Sequence, residues 1–357
     1  MKFLFFTDSH LKTKTPMRRI GSYEDDVLAK IVYLLVTAQK NEVDFIVCGG
    51  DLFDQPNPSF RLASKVMKLI ASSRIPWYQT LGNHEIIGHN PDSYDMGVLA
   101  FFEHLPNFNI VDSFESDDGE SMRFLHYRHG IEEMSDKWMF DKEPSVLVAH
   151  AMITPTPVPF THATSQTIKD YTDARLILLG HYHDPWANIV LRKKIPDSAK
   201  KALSEAIGKI LSTKEEEYIE IEREIWDRVT IFLNPGSLAR ISLLAHNIRR
   251  TPRAIIVDIG EENTTIKAIP MKVAKKFDDV FKVVETQMEK QWEVRIEEFL
   301  AAMENVRVEG IEVSSLLINA AKVRAGVSSI DELSVDHKKT LDYALGVIGK
   351  LEADGHE

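Results

Sequence analysis

The sequence predicts an α/β fold with a buried sheet, a helical insertion and a helical C-terminal region. Short apolar runs alternate with stretches of helical apolar spacing over the first 190 residues. Five of those runs lead into polar side chains able to bind a metal. Beyond Lys276 the apolar spacing is helical to the end of the chain.

In chain order, residues 3–6 form an apolar run leading to Asp8 and read as a buried first strand. Residues 26–38 place Val27, Leu28, Ile31, Leu34 and Leu35 on one helical face. A second strand, 45–48, runs into Gly49-Gly50-Asp51. Residues 60–70 read as a helix, and 75–80 as a third strand before Leu81-Gly82-Asn83-His84. Residues 146–149 precede His150, and 176–179 precede Gly180-His181. Apolar runs bounded by turn residues are typical of buried strands with crossing helices. Sites in open α/β sheets form beyond the carboxyl ends of the strands, so five such ends would gather their polar residues into one cluster.

Residues 197–227 break the alternation. Ala199, Ala202, Leu203, Ala206, Ile207, Ile210 and Leu211 keep helical spacing, and Tyr218, Ile221 and Ile225 extend it past Ser212-Thr213. A helical hairpin is expected there. Strand signals return at 229–233 and 254–259. Phe281, Val284, Met288, Trp292, Phe299 and Met303 recur at helical period, and further helices are expected at 311–323 and 335–351, the last capped by Ser334. The expected organisation is a catalytic domain over 1–272 and a helical region over 273–357.

Composition narrows the class. With 44% hydrophobic and 27% charged residues, the chain reads as a soluble globular protein. Cys48 is the single cysteine, which excludes an intramolecular disulfide framework and fits a reducing compartment. No apolar stretch reaches the ~20 residues of a membrane span, and the apolar start is too short for a signal peptide. A cytoplasmic location without membrane contact is expected. The net charge of −11 argues against a broad nucleic-acid-binding surface. That charge is uneven, because residues 275–357 alone hold 17 Asp+Glu against 11 Lys+Arg. Lys12, Lys14, Arg18 and Arg19 form a local basic group after the first motif, which leaves room for a basic groove.

The motifs are Asp8-Ser9-His10, Gly50-Asp51-Leu52-Phe53-Asp54, Gly82-Asn83-His84-Glu85, Ala149-His150 and Gly180-His181-Tyr182-His183. Each alone is common. Together, in this order and each after an apolar run, they point to a pair of divalent cations. Two such ions ~3.5–4 Å apart clamp the attacking and leaving oxygens of a phosphoryl transfer. A shared carboxylate offsets their repulsion, and Asp51 is the candidate. Mixed imidazole, carboxylate and amide donors suit Mn, Fe or Zn over Ca. The absence of cysteine ligands argues against a structural zinc site.

This set of motifs resembles the calcineurin-like metallophosphoesterases over roughly residues 1–260. The resemblance implies a metallophosphoesterase-type β-sandwich core flanked by helices. It implies one ion held by Asp8, His10, Asp51 and His183, and a second held by Asp51, Asn83, His150 and His181. It further implies in-line attack on phosphorus by an ion-bridging water, with His84 stabilising or protonating the leaving oxygen. Asp54 matches a position that pairs with the catalytic histidine in the serine/threonine phosphatases. An adjacent carboxylate favours imidazolium, so Asp54 is expected to orient His84; the alternative is a turn cap before Pro56.

The segments Phe6-Thr7-Asp8-Ser9-His10-Leu11, Gly49-Gly50-Asp51-Leu52-Phe53-Asp54 and Asn234-Pro235-Gly236-Ser237-Leu238-Ala239-Arg240 are similar to those of SbcD-type DNA repair exonucleases, which include phage-encoded members of this size. That likeness implies Mn-dependent cleavage of DNA phosphodiesters and an SbcC-like SMC-type ATPase as partner. Arg18, Arg19 and Arg240 are the candidate substrate-binding residues. The 197–227 insertion and the helical C-terminal region depart from the family pattern; the latter would dock the ATPase, form a homodimer or pack on the core. Archaeal members carry a histidine where Asp54 stands. The alternative reading is a metal-dependent phosphatase or a small-molecule or cyclic-nucleotide phosphodiesterase. A non-catalytic scaffold is disfavoured, because no expected ligand is missing. Trp77, Trp138, Trp186 and Trp226 read as core rather than as base-stacking platforms.

Overall fold

The computed structural model describes residues 1–16, 19–156, 158, 161–241, 250–276 and 279–281. The chain divides into two compact units. One comprises Met1–Arg240 with Arg249–Val280, and the architecture below is its own. Of the other, Ile241–Ile248 with Phe281–Glu357, only the two residues Ile241 and Phe281 are described. The helices expected from residue 282 onward therefore lie outside the described residues.

Strands β1 (Lys2–Phe6), β2 (Phe45–Cys48) and β3 (Trp77–Gln79) run parallel, with Phe3 opposite Phe45 and Ile46 opposite Trp77. Helices α1 (Tyr23–Lys40) and α2 (Phe60–Ser73) make the crossovers. The hydroxyl of Ser22 caps α1 by accepting from the Asp25 N–H, and Glu24, Asp25 and Asp26 place negative charge on the first turn, where the helix dipole favours it. A short α3 (Leu99–Phe102) leads to β4 (Phe108–Asn109), parallel to β3.

The second half supplies β5 (Ser113–Glu115), β6 (Ser121–Leu125), β7 (Val146–His150), α4 (Ser165–Ile168), β8 (Leu176–Gly180) and β9 (Trp186–Leu191). Then follow α5 (Asp197–Ser212), β10 (Glu217–Glu222), α6 (Arg223–Trp226), β11 (Val229–Asn234), β12 (Arg253–Ile259) and β13 (Asn263–Pro270). One sheet has the order β10-β13-β12-β1-β2-β3-β4, the other β5-β6-β7-β8-β11-β9.

The period-two geometry of strands explains how these sheets pack. Phe3, Phe5 and Val47 of the first sheet share one core cluster with Val146, Val148, Leu176 and Leu178 of the second. The intervening residues Leu147, Ala149, Ile177 and Leu179 join Trp138, Ile153 and Ile168 in another cluster. Strands β7 and β8 are thus apolar on both faces, which makes their sequences continuous apolar runs. The fold is a mixed α/β β-sandwich with flanking helices, as expected. Trp77, Trp138, Trp186 and Trp226 are buried, and Cys48 is a buried free thiol.

The expected helical hairpin over 197–227 is half right. Its first limb is α5, but its second limb is a strand. The sequence Glu217-Tyr218-Ile219-Glu220-Ile221-Glu222 alternates with period two, burying Ile219 and Ile221 while Tyr218, Glu220 and Glu222 face outward. It pairs antiparallel with β13, Ile219 opposite Ile266. The helical spacing of Tyr218, Ile221 and Ile225 is a coincidence of that strand with the single turn of α6. No helix among the described residues is long and apolar enough to cross a membrane.

Candidate metal centre

Strands β1, β2, β3, β7 and β8 deliver their C-terminal ends to one edge of the sandwich. The pairing of β1 with β2 continues past the strands: Asp8 N–H donates to the Gly50 carbonyl at 3.1 Å and His10 N–H to the Asp51 carbonyl at 2.9 Å. Asp8, His10, Asp51 and His181 all take left-handed backbone angles, with φ of 54°, 43°, 52° and 79°. Such angles cost a non-glycine residue roughly 1–2 kcal/mol each. Here they turn four polar side chains inward at the strand ends. Two glycines give them space. A Cβ on Gly50 would lie 2.2 Å from His150 Nδ1, and one on Gly82 would lie 2.0 Å from Asp51 Oδ1.

The ligand atoms converge in three overlapping groups: Asp8, His10 and His183; His10, Asp51 and His84; Asp51, His150 and His181. His10 Nε2 faces His183 Nε2 at 2.9 Å and lies 3.8 Å from both Asp8 Oδ1 and Asp51 Oδ2. His183 Nε2 is 3.7 Å from Asp8 Oδ1. On the other side, His150 Nε2 is 3.3 Å from Asp51 Oδ2 and 3.2 Å from Asn83 Oδ1. The structure thus brings together Asp8, His10, Asp51, Asn83, His84, His150, His181 and His183.

The arrangement fits divalent cations. Asp51 Oδ2 is buried with no hydrogen-bond partner, in the middle of the cluster. A buried oxygen left without a partner is costly, and a cation would satisfy it. Two carboxylates and five imidazoles crowd one another, and their charges shift one another's titration. Burial pushes Asp8 up despite His150 beside it. Burial would push His150 down, yet Asp51 and Asp8 outweigh it and raise the imidazole to about 9. His181, buried beside His150, falls to about 3. Cations would supply the positive charge that these carboxylates otherwise draw from protonated histidine.

Main-chain carbonyls fix two tautomers, because a carbonyl can only accept. His150 Nδ1–H donates to the Gly49 carbonyl at 2.8 Å, leaving the Nε2 lone pair for a metal. His84 Nδ1–H donates to the Asp54 carbonyl at 3.0 Å, and the His84 N–H donates to Asp51 Oδ1 at 3.0 Å.

Asp54 departs from expectation. Its carboxylate lies 3.4 Å from His10 Nδ1 and 3.0 Å from Lys12 Nζ, and only its main-chain carbonyl meets His84. The reason is local. Asp54 N–H donates to the Leu11 carbonyl at 3.1 Å, beside the Leu11–Phe53 bridge, so this segment runs alongside residues 10–12. The acid therefore backs His10, a candidate ligand, and not His84.

The two described arginines of the expected substrate surface point into the protein. Arg19, 8% exposed, donates to the Arg240 carbonyl at 2.7 Å and to Asp26 at 2.8 Å. Arg240, 4% exposed, donates to the Lys275 carbonyl. Both hold chain segments together, so neither offers its charge to a substrate. Arg18 lies outside the described residues. Lys12, half-buried over the Tyr23 ring and paired with Asp54 at 3.0 Å, stands beside the cleft, and Lys14 is exposed.

Sequence reasoning gave no role to Glu85. It is buried, and its carboxylate accepts from Leu52 N–H at 2.8 Å, Gly82 N–H at 2.9 Å and Asp51 N–H at 3.2 Å. Burial pushes it up to about 7, against the pull of those N–H groups. A glutamate next to His84 in a glycine-containing loop was the available signal. Tyr127 was also missed; its ring packs 5.4 Å from that of His181.

The family described as calcineurin-like phosphoesterase matches residues 1–185, and the chain belongs to that family. It is a metal-dependent phosphoesterase, a hydrolase. Among curated proteins it is similar to the DNA double-strand break repair protein Mre11 of Sulfolobus acidocaldarius, with 22% identity over 362 aligned positions covering 96% of this chain and 91% of the relative. It is also similar to the protein of the same name from Archaeoglobus fulgidus, 24% identical over 215 positions covering 52% of this chain and 46% of the relative. A solved dimetal phosphatase from Danio rerio aligns with a TM-score of 0.43 and 11% identity, covering 76% of this chain and 96% of that one.

Proposed function

We propose that the chain hydrolyses DNA phosphodiesters as an SbcD-like nuclease using two divalent cations, with Mn the working ion. The two-cation reading is carried by Asp51, which belongs to two ligand groups and keeps a buried oxygen without a hydrogen-bond partner between them. The DNA substrate rests on the likeness to Mre11 along 96% of the chain.

Asp8, His10, Asp51 and His183 would hold one cation, and Asp51, Asn83, His150 and His181 the other. When bound, the cations supply Lewis acidity and charge neutralisation at the phosphate. The protein's own groups position and move protons. The Asp54 carbonyl takes the Nδ1–H of His84 and so aims Nε2 at the leaving oxygen; as imidazolium, the ring would give its Nε2 proton to that oxygen and be left neutral with Nδ1–H in place. The Gly49 carbonyl keeps the His150 lone pair on Nε2. Exposed Lys14 and Lys12, the latter paired with Asp54, are the candidates to meet a DNA backbone.

An SbcC-like SMC-type ATPase is the proposed macromolecular partner. A homodimer is supported by Phe60, Met96 and Phe101, which are 91%, 61% and 65% exposed and flank the Val98 N–H to Pro56 carbonyl bond at 2.9 Å. Apolar groups this exposed mark association surfaces. One observation favours the rival reading of a small-ester phosphatase or cyclic-nucleotide phosphodiesterase: the burial of Arg19 and Arg240 removes two charges from the DNA path. The test is to incubate the protein and Mn with linear DNA, a bis-nitrophenyl diester and a cyclic nucleotide. Degraded DNA supports the nuclease; intact DNA with turnover of the small esters overturns it.

A further inference from the structure

The segment from Asn234 to Arg240 runs from the end of β11 in one sheet to the extension of β1 in the other. It touches the candidate centre at two ligands. Ser237 N–H donates to the His183 carbonyl at 3.0 Å. The Ser237 hydroxyl lies 2.8 Å from the Asp8 carbonyl and 2.8 Å from that of Ala239. Leu238 and Ala239 N–H groups add bonds to the Thr7 and Asp8 carbonyls at 2.9 and 3.2 Å. Asn234 closes the other end. Its Nδ2 donates to the Tyr182 carbonyl at 2.6 Å while its Oδ1 accepts from Gly236 N–H at 2.7 Å. Gly236, with φ of 78°, makes the approach possible, since a Cβ there would lie 2.9 Å from the His183 carbonyl.

The strap is itself held from behind. Lys30 Nζ donates to the Leu238 carbonyl at 2.8 Å, Arg250 Nη2 to that of Ala239 at 2.7 Å and Arg19 Nη1 to that of Arg240 at 2.7 Å. Three consecutive carbonyls each receive a cationic side chain. Ordering three long side chains costs conformational entropy, more than a passive connection between strands requires.

We infer that Ser237 is a positioning residue for one of the two cations, the one held by Asp8, His10 and His183, while Asn234 steadies the loop that carries both His181 and His183. The inference rests on the two-cation reading above. Asp8 and His183 come from different sheets, 175 positions apart in sequence, and Ser237 bonds the main chain of both. Its hydrogen bonds go to Asp8, His183 and Ala239; among the described residues none goes to Asp51, Asn83, His150 or His181. Removing the Ser237 hydroxyl therefore loosens Asp8 directly and reaches the other group only through the His181 N–H bonds to the Asp8 carboxylate at 3.2 Å. Groups that orient metal ligands through hydrogen bonds typically govern affinity by 10–100-fold.

The test is Mn titration of the full chain, stripped of metal, followed by calorimetry for stepwise affinity and by electron paramagnetic resonance for paired against isolated Mn. Ser237→Ala should weaken one binding step about 10-fold or more and leave the other within about twofold, whereas Asn234→Ala, which frees the Tyr182 carbonyl between His181 and His183, should weaken both. Isolated-Mn signal should then replace coupled-pair signal at two equivalents. Lys30→Met, which frees the Leu238 carbonyl without touching a ligand residue, should produce a smaller shift of the same step. Unchanged affinities in Ser237→Ala overturn the inference, and so does equal weakening of both steps in that variant. If Ser237→Ala fails to fold, Lys30→Met decides, by whether its shift falls on one step or on both. Should the unsubstituted chain bind a single Mn, the two-cation reading falls instead, and the positioning role stands only if that one affinity drops in the variants.

Discussion

Asp54 sets a carboxylate oxygen 3.4 Å from His10 Nδ1 and gives His84 nothing but a main-chain carbonyl. A carboxylate behind a ligand histidine fixes the ring and raises its basicity toward the metal. Asp54→Asn should therefore lower Mn affinity about 10-fold or more, with turnover largely restored at saturating Mn. Turnover lost at saturating Mn with affinity intact would return Asp54 to His84.

His84 is the opposite case. Its imidazole carries no expected ligand duty, so His84→Gln should keep the Mn stoichiometry. Turnover of a DNA diester should fall by about 10²–10⁴, the usual weight of general acid catalysis. A nitrophenyl diester should suffer much less, because nitrophenolate leaves without a proton. Equal losses on both substrates would remove His84 as the acid.

Glu85 joins two ligand loops through the N–H groups of Asp51, Leu52 and Gly82. Glu85→Ala strands those buried donors, at about 1–3 kcal/mol for each one left unsatisfied. Thermal denaturation should show a loss of roughly 2 kcal/mol or more, and Glu85→Gln a smaller one, since the amide oxygen still accepts. A melting curve unchanged in Glu85→Ala would show that water replaces the carboxylate.

Cation binding should stabilise the folded chain. A ligand at 100 times its Kd adds about 2.7 kcal/mol if it binds only the native state. Chelator-treated protein is expected to melt at a lower temperature than Mn-loaded protein. Asp51→Asn should abolish most of the difference. Identical melting with and without Mn would contradict the ligand assignment.

Phe60 and Phe101 test the homodimer. Phe60→Glu and Phe101→Glu replace exposed rings, so the fold should persist while sedimentation shifts from dimer to monomer. A chain that sediments as a monomer before substitution, or as a dimer after both, excludes this surface.

Much of the fold and centre was legible because the relevant signals are local. An apolar run, a glycine and a ligand occupy only a few consecutive residues, as in Val47-Cys48-Gly49-Gly50-Asp51. The strand β10 was not legible, because Tyr218, Ile221 and Ile225 satisfy a helical period by accident. The partner that decides the matter, β13, lies some 45 positions away.

The sequence by itself determined which side chains are available as ligands and at which strand ends they stand. Tertiary structure decided which way the neighbouring charges turn: Asp54 to His10, Arg19 to Asp26 and the Arg240 carbonyl, Glu85 to the loop of Asp51. Side-chain direction follows from the partner that lowers its energy, and that partner is often supplied by a distant segment. The Arg240 carbonyl that takes Arg19 is 221 positions along the chain. No pattern of spacing around residue 19 encodes it.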